Sequence, residues 1–149
     1  MAEVVATEPL DDSEGGGRKG PYLNKYFKAC IKMQVSDLHL KADRPPFVRI
    51  KGDLRPMTGG PLTGEQIRSG IFELLSREQQ DHYDHHGAID FAYDVGPPGD
   101  ADRFRVNAFQ QRGKMSVAAR RVNRNIKKFE ELYLPPTLSK ISEFNQGMV

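Results

Sequence analysis

The spacing of apolar residues changes along the chain from a helical period to a strand period. A helix is predicted from Pro21, because apolar residues beyond it recur three and four positions apart. These residues are Leu23, Tyr26, Phe27, Cys30 and Ile31. After Gln34, polar and apolar residues alternate over 36–41 and 47–51, which predicts two half-buried strands. The Asp-Arg-Pro-Pro run at 43–46 is typical of a turn, because proline disfavours the helical conformation for the residue before it.

Two successive helices follow, and each begins with a capping box. The Thr-Gly-Glu-Gln run at 63–66 can exchange side-chain and backbone hydrogen bonds at the start of a helix over 64–75. The apolar residues of this helix fall on one face: Ile67, Ile71, Leu74 and Leu75. The Ser-Arg-Glu-Gln run at 76–79 repeats the box and predicts a shorter helix that reaches His85 and stops at Gly87.

The next part of the chain has the pattern of an antiparallel sheet. Polar and apolar residues alternate over 88–95, and strands are also predicted over 103–111 and 115–122. A polar loop at 96–102 and an Arg-Gly-Lys turn at 112–114 connect them. Strands joined by turns and interrupted by a pair of helices favour an α+β fold, an antiparallel sheet with helices on one face.

The length of 149 residues indicates one folded domain with a tail. Residues 1–20 are acidic, rich in glycine and nearly free of large apolar side chains, which is typical of a disordered leader. A G-x-G-x-x-G match at 15–20 is interpreted as a flexible linker, since no strand precedes it. The segment after Val122 is predicted to be irregular, with Pro135 and Pro136 interrupting it.

Hydropathy and cysteine usage exclude two classes of protein. No uninterrupted apolar run exceeds three residues, which argues against a transmembrane helix and a secretory signal peptide. The single cysteine, Cys30, cannot form an internal disulfide, which excludes a disulfide-stapled scaffold and fits a reducing compartment such as the cytoplasm. Because Cys30 lies on the apolar face of the first helix, we interpret it as a small buried hydrophobic group.

Charge is distributed unevenly along the chain. The net charge is +2, yet residues 1–20 contain five acidic and two basic side chains. From Arg103 to Lys128 the chain has nine basic residues and no acidic one. Such a stretch suits an anionic partner, which would be a nucleotide phosphate, a nucleic acid or an acidic protein surface, although a solvated strand surface has the same composition.

Four arginines of this stretch are the candidate binding residues. Arg103 and Arg105 share one face of a predicted strand, and Arg120 and Arg121 come from the next strand. A guanidinium group presents its N–H donors in a fork that matches phosphate oxygens, so two adjacent strands could offer convergent forks to a polyphosphate. Nucleic acid is a weaker interpretation, because the only aromatic residues of the stretch are Phe104 and Phe109, on opposite faces.

Other polar clusters give less specific signals. Three histidines and two aspartates lie near the end of the third helix: Asp81, His82, Asp84, His85 and His86. Two of these histidines are four residues apart, but no cysteine or apolar surrounding supports a metal site, so we interpret the cluster as a solvated, frayed helix end. His39 lies with Asp37 and Lys41 on a polar strand face, where we expect a structural hydrogen bond. Asp90 and Asp94 are too far apart to share a proton.

Several blocks of the sequence resemble one known family. The blocks, in chain order, are SDLHLKA at 36–42, RPPFVRIKGDLR at 44–55, RFRVNAF at 103–109, QRG at 111–113, FEEL at 129–132 and QGMV at 146–149. Together they resemble the N-terminal domain of type II secretion and type IV pilus ATPases, in particular the PilT-like branch that drives twitching motility. The resemblance covers residues 22–149.

The resemblance implies a PAS-like domain over 21–122 and a linker over 123–149 that leads toward a RecA-like ATPase domain. Members of the family assemble as homohexamers at the cytoplasmic face of the inner membrane, where they meet the platform proteins of a pilus or secretion machine. They bind ATP with Mg²⁺ between the two domains. The expected function of this chain is therefore that of the N-terminal domain of a PilT-like retraction or secretion motor.

The resemblance also implies which arginines approach the nucleotide phosphates. Matched block by block, these are Arg105 and Arg120, with Arg103 and Arg121 as weaker candidates. Arg121 becomes the match if the register slips by one residue, and Ala119 stands where the family often has an aromatic residue.

The chain is not expected to hydrolyse ATP by itself. It contains no G-x-x-x-x-G-K-[ST] sequence and ends just where the family enters the strand before that loop, so the Walker A lysine and the Walker B acid are both absent. Two alternatives stay open from the sequence. One is a stand-alone PAS-like adaptor that binds proteins, and the other is a nucleic-acid binder that uses the basic strands.

Overall fold

The computed structural model describes residues 21–124, 126–141 and 143–147. The helices are α1 (Asn24–Lys32), α2 (Gly64–Phe72), α3 (Arg77–His86) and α4 (Thr137–Ile141), with a short 3-10 helix at Glu130–Leu132. The strands are β1 (Asp37–Leu40), β2 (Phe47–Ile50), β3 (Asp53–Pro56), β4 (Ala88–Val95), β5 (Asp102–Gln111) and β6 (Lys114–Arg121). The predicted leader at 1–20 lies outside the described residues.

The strands form one six-stranded sheet with the order β3-β2-β1-β6-β5-β4, and every neighbouring pair is antiparallel. The central pair joins β1 to β6, which are far apart in the sequence. The chain reaches the opposite edge of the sheet through α2 and α3, which separate β3 from β4. This architecture confirms the predicted α+β fold.

The core lies between α1–α3 and one face of the sheet. Alternate residues of β5 are buried there, namely Phe104, Val106 and Ala108. Phe27 of α1 packs edge-on against Phe104 and Tyr93, with both ring centroids 5.1 Å away. The intervening residues of the strands point to the other face, which we call the open face, and most of those on β4 and β5 are exposed.

The predicted capping boxes are both present. In α2, the Gln66 N–H donates to Thr63 Oγ1 at 3.1 Å and the Thr63 N–H donates to Gln66 Oε1 at 2.8 Å. The same exchange between Ser76 and Gln79 opens α3. Gly87 closes α3 with a left-handed φ of 73°, which costs glycine little.

Helix α2 ends at Phe72, three residues before the predicted end. The N–H groups of Leu74 and Leu75 donate to carbonyl oxygens three residues earlier, those of Ile71 and Phe72. This tighter winding finishes the helix and leaves Ser76 extended, as the capping of α3 requires.

The segment after β6 was predicted to be irregular, and the structure is more regular than that. It contains the 3-10 helix at Glu130–Leu132 and the short helix α4. The carbonyl oxygens of Pro135 and Pro136 accept the first hydrogen bonds of α4, from Leu138 and Ser139. Proline is compatible with the start of a helix because the first N–H groups have no partner within it. The two prolines therefore precede a helix rather than only interrupt the chain.

None of the helices in the described part of the chain has the length and hydropathy needed to span a membrane.

Candidate functional site: an arginine row on the open face

Four charged residues align across four neighbouring strands of the open face. In the β5–β6 register, Arg105 is the direct partner of Arg120. In the β1–β6 and β1–β2 registers, Asp37 is the direct partner of Arg120 and of Arg49. The order across the sheet is therefore Arg49, Asp37, Arg120, Arg105, and we call this set the arginine row.

Carboxylates on the outer sides of the pair compensate the like charges of Arg105 and Arg120. Like charges directly opposite on an antiparallel pair destabilise it, so each guanidinium group needs compensation. Arg120 Nε donates to Asp37 Oδ1 at 2.8 Å, and Arg105 Nε donates to Asp90 Oδ1 at 3.4 Å. Each arginine thus points to an acid on the side away from the other arginine.

Both arginines keep donors available to solvent. The hydrogen bonds that the two side chains make to other described residues use Nε alone. The side chains of Arg120 and Arg105 are 75% and 76% exposed. Since Nε is occupied, the two terminal NH₂ groups of each side chain form the part that an anion could contact.

Asp37 is the buried residue of the row. It is 7% exposed and accepts a further hydrogen bond from Ser36 Oγ at 2.7 Å, while Arg49 Nε lies 3.5 Å from its Oδ2. Burial alone would raise the pKa of Asp37, but the hydrogen bonds from Arg120 and Ser36 outweigh it and hold the pKa below its usual value. The carboxylate is therefore charged at neutral pH.

Arg121, the alternative to Arg120 if the register slips by one residue, lies on the opposite face of the sheet from Arg120. Its Nε and Nη2 lie 2.8 and 2.7 Å from Asp102 Oδ1, and its Nη1 donates to Gln34 Oε1 at 3.1 Å. Its side chain is 20% exposed. Successive residues of a strand point to opposite faces, so Arg121 has a structural ion pair beside the core.

Arg103 shares the open face with Arg105, as predicted, but it lies outside the arginine row. Its direct partner across the sheet is Asp94, whose Oδ1 is 3.8 Å from Arg103 Nε. Asp90 contacts Asn107 as well as Arg105. Asp90 and Asp94 therefore serve as separate partners of polar side chains on β5.

His39 has a different environment from the one expected. Its Nε2 is buried and has no hydrogen-bond partner among the described residues, so the predicted structural hydrogen bond is absent at this atom. Burial lowers the pKa of His39, the charge of Asp37 opposes this shift, and the charges of Arg49 and Arg120 add to it. The imidazole is therefore neutral at pH 7.

The half-buried imidazole of His39 makes the stability of the fold depend on pH. The pKa of His39 is lower in the folded state than in the unfolded state. The contribution of the neutral imidazole to the free energy of unfolding is therefore fully present above about pH 6.5, and it decreases as the pH falls toward the folded-state pKa. We expect the thermal stability of His39→Phe to depend less on pH between pH 7 and pH 5 than that of the parent protein. The substitution should also raise the free energy of unfolding by about 1 kcal/mol at pH 7, since a buried polar atom without a partner is costly.

Denaturation monitored by circular dichroism across this pH range would measure both effects. His82→Gln, at an exposed position of α3, is the matched control. Its stability should change with pH as steeply as that of the parent protein. A His39→Phe protein with the parent's slope would show that His39 is not the responsible group.

The histidines of α3 are exposed, as predicted, but the helix ends in a regular cap rather than a frayed turn. The rings of His82 and His86 stack with centroids 4.2 Å apart, and His85 Nδ1 lies 2.7 Å from the carbonyl oxygen of Asp81. Across residues 21–124, 126–141 and 143–147, the side chains of His, Cys, Asp and Glu form no group of three that could hold a metal ion.

Cys30 is buried in the core, as its place on the helix predicted. Burial raises the pKa of its thiol to about 12, and the positive charge of Arg121 opposes the shift only in part. A thiol of this kind is not a nucleophile at neutral pH.

The role of Asp37 as the acceptor for Arg120 could not be found from the sequence. Their contact depends on the pairing of β1 with β6, and the two residues are 83 positions apart. The sequence signal was limited to the placement of Asp37 on a polar strand face.

No protein-family model matches the chain. It is 32% identical over 127 residues to the type IV pilus ATPase PilU of Pseudomonas aeruginosa, covering 85% of this chain and 32% of PilU. It is 33% identical over 118 residues to the type IV pilus retraction ATPase PilT of the same organism, covering 79% of this chain and 33% of PilT. The chain thus spans about a third of the length of these curated relatives.

Solved structures give the same result. The pilus retraction motor PilT with bound ADP matches 80% of this chain and 34% of its own, with a TM-score of 0.65 and 28% identity. The ATPase DotB of Legionella pneumophila matches 97% of this chain and 39% of its own, with a TM-score of 0.68; at 18% identity it shows the shared fold alone. The chain is therefore a relative of the type IV pilus ATPases, and its extent and fold fit an N-terminal domain of such an ATPase.

Proposed function

We propose that this domain covers the nucleotide of a PilT-like motor ATPase and contributes arginines to the nucleotide site. Within the longer polypeptide, its open face would lie over ATP held by a RecA-like domain, and Arg105 and Arg120 would donate to the phosphates. The observation that carries the proposal is the alignment of these two arginines on adjacent strands, with their terminal NH₂ groups exposed. The similarity to a PilT structure with bound ADP supports the choice of ligand.

The donor set suits phosphate rather than the accompanying metal ion. Two guanidinium forks can bind phosphate oxygens bidentately and stabilise the charge that develops during phosphoryl transfer. The acids beside them, Asp37 and Asp90, already accept hydrogen bonds from the arginines. The motor domain would therefore supply the ligands of Mg²⁺, and it would also supply the Walker A lysine and the Walker B acid. The N-terminal domain alone would not hydrolyse ATP.

The segment after β6 would provide the packing surfaces of the assembled motor. It exposes large apolar side chains along much of its length: Ile126, Phe129, Leu132, Tyr133, Leu134 and Phe144. Exposed apolar groups of this density are typical of an interface. We place them against the motor domain of the same chain and against neighbouring subunits of a homohexamer, at the cytoplasmic face of the inner membrane beside the platform proteins of a pilus or secretion machine.

Substitution of the arginines in the longer polypeptide tests the proposal. We expect Arg105→Gln and Arg120→Gln each to lower the rate of ATP hydrolysis about 10- to 100-fold, because each removes a charged donor to phosphate. The double charge reversal, Arg105→Glu with Arg120→Glu, should abolish hydrolysis. Phosphate release at saturating ATP and Mg²⁺ is the measurement.

Arg77→Gln provides the matched control. Arg77 is an exposed arginine at the start of α3, on the helix-covered side of the sheet, and its loss should leave turnover unchanged. The side chains of Arg105 and Arg120 are largely exposed, so solvent screens their ion pairs, and Arg105→Gln and Arg120→Gln should both fold. Folded variants with the parent's turnover would overturn the proposal and favour a stand-alone adaptor.

A further inference from the structure

Asp37 is buried, and its two carboxylate oxygens have different partners: Arg120 at Oδ1, and Ser36 and Arg49 at Oδ2. Its side chain is 9% exposed and its Oδ1 accepts Arg120 Nε at 2.8 Å, whereas the side chain of Arg120 itself is 75% exposed. The ion pair therefore joins a fixed acceptor within the sheet to a long side chain at its surface. Ser36 Oγ, at 2.7 Å from Oδ2, holds the carboxylate from the other side.

We propose that Asp37 is a positioning residue for Arg120, which it aims at the phosphates of the nucleotide. This inference rests on the function proposed above. By accepting the Nε–H, Asp37 fixes the plane of the guanidinium group and directs both terminal NH₂ groups away from the sheet. An arginine without such an acceptor would distribute its fork over many rotamers and would be repelled by Arg105 across the strand pair.

The arrangement at Arg105 is looser and provides an internal comparison. Arg105 Nε is 3.4 Å from Asp90, and the Asp90 side chain is 52% exposed. A long contact to an exposed acceptor constrains an arginine less than a short contact to a buried one. The loss of Asp90 should therefore affect nucleotide binding less than the loss of Asp37.

A double-mutant cycle in the longer polypeptide tests the inference. We expect Asp37→Asn to weaken the binding of a fluorescent ATP analogue with Mg²⁺ about tenfold, and Asp90→Asn to weaken it less. Arg120→Gln should weaken binding at least as much as Asp37→Asn. In the Arg120→Gln background, Asp37→Asn should cause no further loss, because its effect acts through Arg120.

Asp102→Asn is the matched control for a merely structural role. Asp102 forms the ion pair with Arg121 on the other face, so this variant should lower the melting temperature while its effect on ATP binding, whatever its size, adds to that of Arg120→Gln. If Asp37→Asn also adds to Arg120→Gln, the positioning role is wrong and Asp37 is structural. If Arg120→Gln binds ATP like the parent protein, the proposed function fails and the inference fails with it.

A second readout needs no nucleotide. In the ¹⁵N-labelled 149-residue chain, the Nε–H resonance of Arg120 should exchange slowly with solvent, because a short hydrogen bond to a buried acceptor protects it. Arg120→Gln assigns that resonance. We expect Asp37→Asn to abolish the slow exchange and Asp90→Asn to preserve it; retention of protection in Asp37→Asn would overturn the inference even if Arg120 binds phosphate.

Discussion

Phe27→Ala is expected to lower the free energy of unfolding by about 3–5 kcal/mol. Phe27 has no exposed surface and packs edge-on against Tyr93 and Phe104, each with a centroid distance of 5.1 Å. Truncation would leave a cavity between α1 and strands β4 and β5. A typical domain is stabilised by about 5–15 kcal/mol, so this single truncation would remove a large part of the total.

Chemical denaturation monitored by circular dichroism would measure this loss. Phe144→Ala is the matched control, because that phenylalanine is 70% exposed and its truncation should change stability by about 0.5 kcal/mol or less. A loss below about 1 kcal/mol for Phe27→Ala would contradict the packing described for α1. The variant also bears on the site, since Phe104 lies between Arg103 and Arg105 on β5 and a loosened strand would position Arg105 poorly.

The local elements of the fold could be predicted because short-range physics determines them. Both capping boxes, the left-handed glycine at the end of α3 and the alternation of β4 and β5 depend on residues a few positions apart. The end of α2 was predicted too late, since its apolar spacing continues through Leu75 although the chain tightens into the cap of α3. The capping of α3 by Ser76, and not the apolar spacing, therefore determines where α2 ends.

The order of the strands could not be predicted in the same way. The pairing of β1 with β6 joins residues about 80 positions apart, and nothing local in either strand specifies the partner. Asp37 was therefore visible as a polar residue of a strand, but its contact with Arg120 was not. A buried aspartate beside an exposed arginine is a product of topology.

The arginines themselves were accessible from the sequence by two routes, the acid-free basic stretch and the family resemblance. What the sequence left open was the choice between Arg120 and Arg121. The structure places Arg120 opposite Arg105 on the open face and Arg121 against Asp102 on the other. Which of the two shares the open face with Arg105 follows from register, because a shift of one residue moves a strand's side chains to the opposite face.

Gly70→Val is expected to destabilise the protein by about 3 kcal/mol, although glycine is a poor helix former. A Cβ at Gly70 would lie 2.5 Å from Leu23 Cγ and 2.9 Å from its Cδ1, closer than carbon atoms can approach. Leu23 has no exposed surface and cannot move into solvent. Even Gly70→Ala should destabilise the protein. Alanine stabilises an exposed helix by about 1 kcal/mol relative to glycine, but here the clash with Leu23 outweighs that gain.

Two further variants separate the clash from the properties of the new residue. Gly60→Ala, at a glycine with open space around it, should change stability by about 0.5 kcal/mol or less. Leu23→Ala in the Gly70→Val background should destabilise far less than Leu23→Ala alone, because the smaller side chain makes room for the valine. Additive losses, or a stabilised Gly70→Ala protein, would show that α2 does not approach Leu23 closely. Since α2 packs against β6, the close approach of α2 to Leu23 also helps to position β6, the strand that carries Arg120.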